Sequence, residues 1–128
     1  MHCRARARGQ SLVEFALTLP ILILILLGIL DLGRAYNAQI IITNAARDGA
    51  YYGTMHATDI SGIKQRVITE ANGSGTTLTA ANVSVSTTGV VGTPMRVTVT
   101  YNFGLLTSFL PGVTSLPLTG KAEMMIIR

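Results

Sequence analysis

The sequence predicts an α+β chain: a long N-terminal transmembrane helix extends into a small head, where a second helix packs on a three-stranded antiparallel sheet. Three observations predict it. Residues 15–30 carry no charge. A proline-free, helix-compatible pattern then continues from Asp31 to Gly53. Further on, apolar residues alternate with threonine, serine and other polar residues, the period-two signature of strands with one buried face.

The anchor comes first. The chain has 128 residues, 48% hydrophobic and 12% charged. That is room for one small domain plus a membrane segment. As a helix, residues 15–30 reach roughly 24 Å at about 1.5 Å per residue. Adding Leu12 and Val13 brings the run close to the roughly 30 Å of a bilayer core. Arg4, Arg6 and Arg8 precede it; without them the chain has 7 basic residues against 6 acidic. The basic charge therefore reports orientation, with the arginines cytoplasmic and the C-terminal part translocated. A basic tail for nucleic acid is the weaker alternative, and no nucleic-acid partner is expected. Cys3 is the sole cysteine, so the exported part forms no disulfide of its own. His2 beside it does not complete a metal site, and no metal or other cofactor is expected.

Past the anchor, Leu32, Tyr36, Ile40 and Asn44 fall on one helical stripe. Ala38, Ile42, Ala45, Gly49 and Gly53 fall on another, made mostly of small residues. Gly49 and Gly53 form a small-xxx-small pair that lets another backbone approach closely; a fraying helix end is the alternative. The helix breaks around residues 56–58. Asp59 is placed to cap a second helix, with Ile60, Ile63, Val67 and Ala71 on its apolar stripe. Residues 72–75 end it, with Gly73 suited to a left-handed cap.

Strands follow. Val83, Ser84, Val85 and Ser86 make a short one. Met95, Val97, Val99, Tyr101 and Phe103 face one way in the next, and Arg96, Thr98, Thr100 and Asn102 the other. Residues 119–127 make the third, with Gly120, Ala122, Met124 and Ile126 toward the core. Helix 59–71 is expected to lie across one face of this sheet. The apolar loop 104–112, with Leu105, Leu106, Phe109 and Leu110, is expected to pack on its own domain. A contact with a partner or the membrane is the alternative, since exposed apolar patches mark such contacts. The resulting division is residues 1–9, a basic leader; 10–33, the membrane helix; 34–56, its extracytoplasmic continuation; and 57–128, the head.

The junction between leader and anchor carries the functional signal. Gly9 and Gln10 precede Glu14, a lone carboxylate at the lip of the apolar run. Near the centre of a membrane helix such a group costs roughly 2.5–3.5 kcal/mol, less near the interface. An ordinary signal peptide would be cut after the apolar run, where no convincing small-residue site appears. An uncleaved anchor leaves Gly9 and Glu14 without a role. Cleavage after Gly9 creates an amine at Gln10, one helical turn from Glu14. If the pairing amine belongs to a neighbouring subunit, the ion pair fixes register.

At these residues the sequence resembles the type IV prepilins, whose processing site is a glycine followed by a segment with glutamate at the fifth position and an apolar helix. The segments 9–17, 19–20, 28–35 and 44–50 resemble more specifically the TadE-like family, pilin-like pseudopilins of the tight-adherence (Tad/Flp) pilus. The resemblance implies a pilin-like fold and cutting by a prepilin peptidase between Gly9 and Gln10. It also implies a registration role for Glu14. Partners would be other pilin or pseudopilin subunits, the pilus assembly machinery and membrane lipid. The chain would lodge in the bacterial inner membrane, or lie outside the cell in a pilus, serving pilus biogenesis, adhesion or secretion. Many pilins begin the mature chain with an N-methylated phenylalanine; here it would be Gln10. Pro20 and Gly28 interrupt the apolar helix; Pro20 removes the donor for the Ala16 carbonyl, with Thr18 a candidate to re-satisfy it. In pilin filaments such positions allow a locally melted helix.

No catalytic motif is recognisable, the acidic residues are scattered, and an enzyme is not expected. Two other readings remain at this point: a single-pass, membrane-anchored extracytoplasmic interaction protein without prepilin processing, and a secreted αβ domain released from an ordinary signal.

Overall fold

The computed structural model describes residues 4–109, 112 and 114–128, with side chains from residue 9 onward. It is an α+β fold. Helix α1 runs Arg4–Gly53 and helix α2 runs Ile60–Gly73. Strands β1 (Val83–Ser86), β2 (Pro94–Gly104) and β3 (Ser115–Met125) form one antiparallel sheet in the order β1-β2-β3. Short 3-10 turns at Ala80–Asn82 and Leu106–Phe109 complete the described elements.

The two halves of α1 differ because their side chains differ. Through residue 30 it is lined with Leu and Ile that are nearly all exposed, with no stripe facing the head. From Asp31 onward one stripe is buried: Ala35, Ala38, Ile42, Ala45, Ala46 and Ala50. The opposite stripe of Leu32, Tyr36, Ile40 and Asn44 stays exposed. Small side chains on the buried stripe let the helix backbone sit close to the sheet. The meeting point is Gly120 in β3, where an added Cβ would stand 2.7 Å from the Ile42 carbonyl oxygen. Gln39 reinforces this seam by donating from Nε2 to the Thr119 carbonyl at 2.9 Å.

The helix continues unbroken through Pro20. Thr18 does not take over the Ala16 carbonyl; its hydroxyl donates to the Glu14 and Phe15 carbonyls at 3.1 and 3.0 Å.

The strands follow the alternation of their residues. Met95, Val97, Val99 and Phe103 are buried and Tyr101 is half-buried, while Arg96, Thr100 and Asn102 are exposed. In register, Val97 pairs with Val85 and Ala122, and Val99 with Val83 and Gly120. On the outer face, Arg96 pairs with its cross-strand neighbour Glu123 at 2.7 Å. Such an exposed pair contributes at most about 1 kcal/mol.

One expectation is sharpened and two are corrected. The inner face of the sheet is covered chiefly by α1, which packs on β2 and β3; α2 sits beside it, against α1 and β1. The small-residue stripe of α1 fits a close sheet contact better than the single stripe of α2, where Ile63, Val67 and Ala71 are buried but Ile60 is exposed. Strand β3 begins at Ser115 rather than Thr119, with Pro117 opposite Asn102. As an edge strand it tolerates a residue that cannot donate to the ladder. The left-handed residue after α2 is Gly75, at φ 92°, whereas Gly73 is the last residue of the helix.

The start of α2 has the cap expected of Asp59. Its carboxylate accepts the Gly62 N–H at 2.9 Å, the Ser61 hydroxyl at 2.8 Å and the Tyr52 hydroxyl at 3.2 Å. The Gly62 backbone bond, then the Ser61 bond, hold its carboxyl below the usual aspartate value, against a smaller opposing effect of burial. A lowered folded pKa means that the unfolded chain binds the proton first. The stability contributed by this cap is therefore complete above the ordinary carboxylate pKa of about 4 and is lost as pH falls through the lower folded value. Thermal melts across this acid range are expected to show a steeper loss for the native chain than for D59N, whose melting temperature starts lower at neutral pH. Equal pH slopes would remove Asp59 as a source of the acid sensitivity.

Candidate functional site

The N-terminal features lie on one flank of α1. Gly9, Gln10, Val13, Glu14 and Leu17 share this surface, as the spacing i, i+3, i+4, i+7 requires. Gln10 and Glu14 are thus one turn apart, both exposed. In the uncut helix the Gln10 nitrogen is an amide. Cleavage at Gly9 would turn it into an ammonium and make residue 10 the start of the helix. The free N–H groups and positive dipole end would then stand beside Glu14, which favours the carboxylate.

Beyond Glu14 the helix offers apolar surface and little else. Leu17 is 70% exposed and Ile29 62%. Gly28 has no neighbour within 4 Å of where a Cβ would stand. Leaving so many aliphatic side chains in water is unfavourable by about 1.5–3 kcal/mol each. Such a surface suits lipid or the apolar faces of other helices.

At the end of the apolar run the head reaches back to the helix. Asp31 is buried, 4% exposed, although it is the first charge after the run. Its carboxylate accepts the N–H of Leu106 at 2.9 Å, the N–H of Thr107 at 3.0 Å and the Thr107 hydroxyl at 2.9 Å. It thereby satisfies the free donors at the start of the 3-10 turn Leu106–Phe109. Arg34, one turn on, pairs with Asp31 at 3.1 Å and lays its guanidinium over the Phe103 ring, 4.9 Å from the centroid. The loop is therefore split in character: Leu105 is half-buried against the core, whereas Leu106 and Phe109 are 49% and 64% exposed. Leu110 lies outside the described residues. Sequence reasoning missed this clasp. The available signal was an aspartate just after the apolar run with an arginine three residues on, but its loop partners are 75 residues away in the chain.

Gly49 and Gly53 face the interior of the head. A Cβ on Gly49 would collide with the Val67 side chain, and one on Gly53 with the end of Met95. What they admit closely is this chain's own α2 and the Met95 side chain of β2. His56 stacks on Tyr52, with ring centroids 4.4 Å apart, and is exposed. Among the described residues, no three of His, Cys, Asp and Glu gather as a metal-binding group.

Residues 9–50 match a family model described as TadE-like protein. No curated protein and no solved structure matches the chain. The match begins at the junction glycine and stops three residues short of the end of α1; it lies wholly on the helix. Over residues 9–50, therefore, the chain is similar to the TadE-like family, pilin-like proteins associated with the Tad pilus.

Proposed function

We propose that the chain is a prepilin, cut by a prepilin peptidase after Gly9, which then serves as a structural or assembly subunit of a Tad-type pilus. The observation that carries this reading is the coincidence of the family match with a helix whose apolar stretch is exposed. The matched segment opens at Gly9, and none of the most apolar part of its helix is buried within the chain. A helix of that kind is suited both to lipid before assembly and to a bundle of like helices afterwards. Residues 1–9 would be the cytoplasmic leader, residues 10–33 the span and residues 34–128 the extracytoplasmic part. Glu14 would pair with the new amine of a neighbouring subunit and set its stagger.

The test is N-terminal sequencing of the protein from cells that carry the matching peptidase. Mature chains starting at Gln10 are expected, and G9A is expected to accumulate at full length outside the assembled fraction. Material that starts only at Met1, with G9A fully functional, would favour an uncut membrane-anchored interaction protein instead. A start near residue 36 would indicate an ordinary signal.

A further inference from the structure

The loop clasped by Asp31 is held at one particular height on the helix. If residues 12–30 occupy the hydrocarbon, Asp31 stands at the membrane surface, and so does whatever it holds. It holds the 3-10 turn Leu106–Phe109 by two backbone donors and one hydroxyl. The turn presents Leu106 and Phe109 outward, both exposed. Leu27, one turn before Asp31 on the same helix face, is the only half-buried residue between 21 and 30, where all others are exposed. The 3-10 turn and α1 are packed on one another. Large apolar side chains displayed in water are unfavourable; at the edge of a bilayer they are not, and tyrosine and tryptophan are enriched there. Tyr36, 70% exposed on a neighbouring flank of α1, stands one turn above the same boundary.

We infer that Leu106 and Phe109 form a lipid-contacting foot, by which the head rests on the outer surface of the membrane next to its own transmembrane helix, and that Asp31 positions this foot. Lipid is the favoured occupant because the patch continues the apolar surface of the span without a gap in height. The clasp also removes the cost of placing a carboxylate at that depth, since three donors and Arg34 surround it. The head would thus be seated at a fixed tilt before assembly, and the foot would leave the lipid when the subunit is extracted. This inference rests on the membrane reading given above.

The chain contains no tryptophan, so single substitutions report position cleanly. Full-length F109W, F15W and Y51W are to be reconstituted separately in phosphatidylethanolamine–phosphatidylglycerol vesicles, at low protein-to-lipid ratio, with and without lipids brominated near the headgroup end of the acyl chain. F15W and F109W are expected to emit blue-shifted light and to lose intensity with brominated lipid. Y51W, on the exposed flank far up α1, is expected to emit as in water and to lose none. D31N combined with F109W is expected to shift toward the water-exposed spectrum and lose much of the quenching, with the F15W signal unchanged in D31N. Quenching of F15W without quenching of F109W overturns the foot while leaving the anchor intact. Blue-shifted F109W emission without bromine quenching also overturns it, since protein then covers the loop. Absence of quenching in F15W removes the membrane reading itself.

Discussion

Replacing Gly120 with alanine is expected to destabilise the head by about 2–3 kcal/mol, the upper part of the range for overpacking, and replacement with valine to prevent its folding. The reason lies in what a Cβ would meet. Three backbone atoms of α1 stand in its way: the Ile42 oxygen at 2.7 Å, the Ile42 carbonyl carbon at 2.8 Å and the Thr43 nitrogen at 2.9 Å. A side chain in that place could rotate aside; a helix backbone cannot without lifting α1 from β3. Lifting it would also break the Gln39 bond to Thr119 and open the contacts of Ile42, which is fully buried. Gly104 provides the control, because nothing lies within 4 Å of its would-be Cβ. Urea unfolding of the full chain in detergent, followed by circular dichroism, measures both. A G120A midpoint equal to that of the native chain would mean that α1 and β3 are not in backbone contact.

The second large effect concerns Glu14 and rests on the proposed function. Replacing it with alanine is expected to leave the protein in the membrane, and to favour insertion, by removing a carboxylate that costs up to roughly 2.5–3.5 kcal/mol in hydrocarbon. The same change is expected to abolish incorporation into sheared surface filaments. In the free chain Glu14 is exposed on the flank that also bears Gln10. Truncating one member of a buried charge pair leaves the other unpaired, a loss of about 3–5 kcal/mol. Among packed helices that loss falls on each subunit contact, and so multiplies along a filament. Membrane fractionation and shearing of cells expressing E14A separate the two outcomes. Normal filament yield from E14A would deny the carboxylate its registration role. Loss from the membrane would point to a folding role instead.

Parts of this chain are legible because their physics is local. The alternation from Met95 to Phe103 determines which side chains are buried, since successive residues in a strand point to opposite faces. Asp59 is recognisable as a cap from its place before an apolar helical stripe. The stripe of Ala38, Ile42, Ala45, Gly49 and Gly53 is visible as a packing surface from its spacing alone. Its partner is not. A small-residue stripe beside a long apolar segment fits a neighbouring subunit as well as a sheet, and the choice of sheet depends on Gly120, far away in the chain.

The sequence by itself determined the long apolar stretch, the α+β order of elements and the buried faces of the strands, all of which are set by composition and short-range periodicity. Only the tertiary structure decided that α1 rather than α2 covers the sheet. It alone joined Asp31 to Leu106 and Thr107, and split the apolar loop into a core side and an exposed side. Those outcomes depend on contacts between residues separated by most of the chain, and periodicity along a sequence carries no information about which distant surface will meet it.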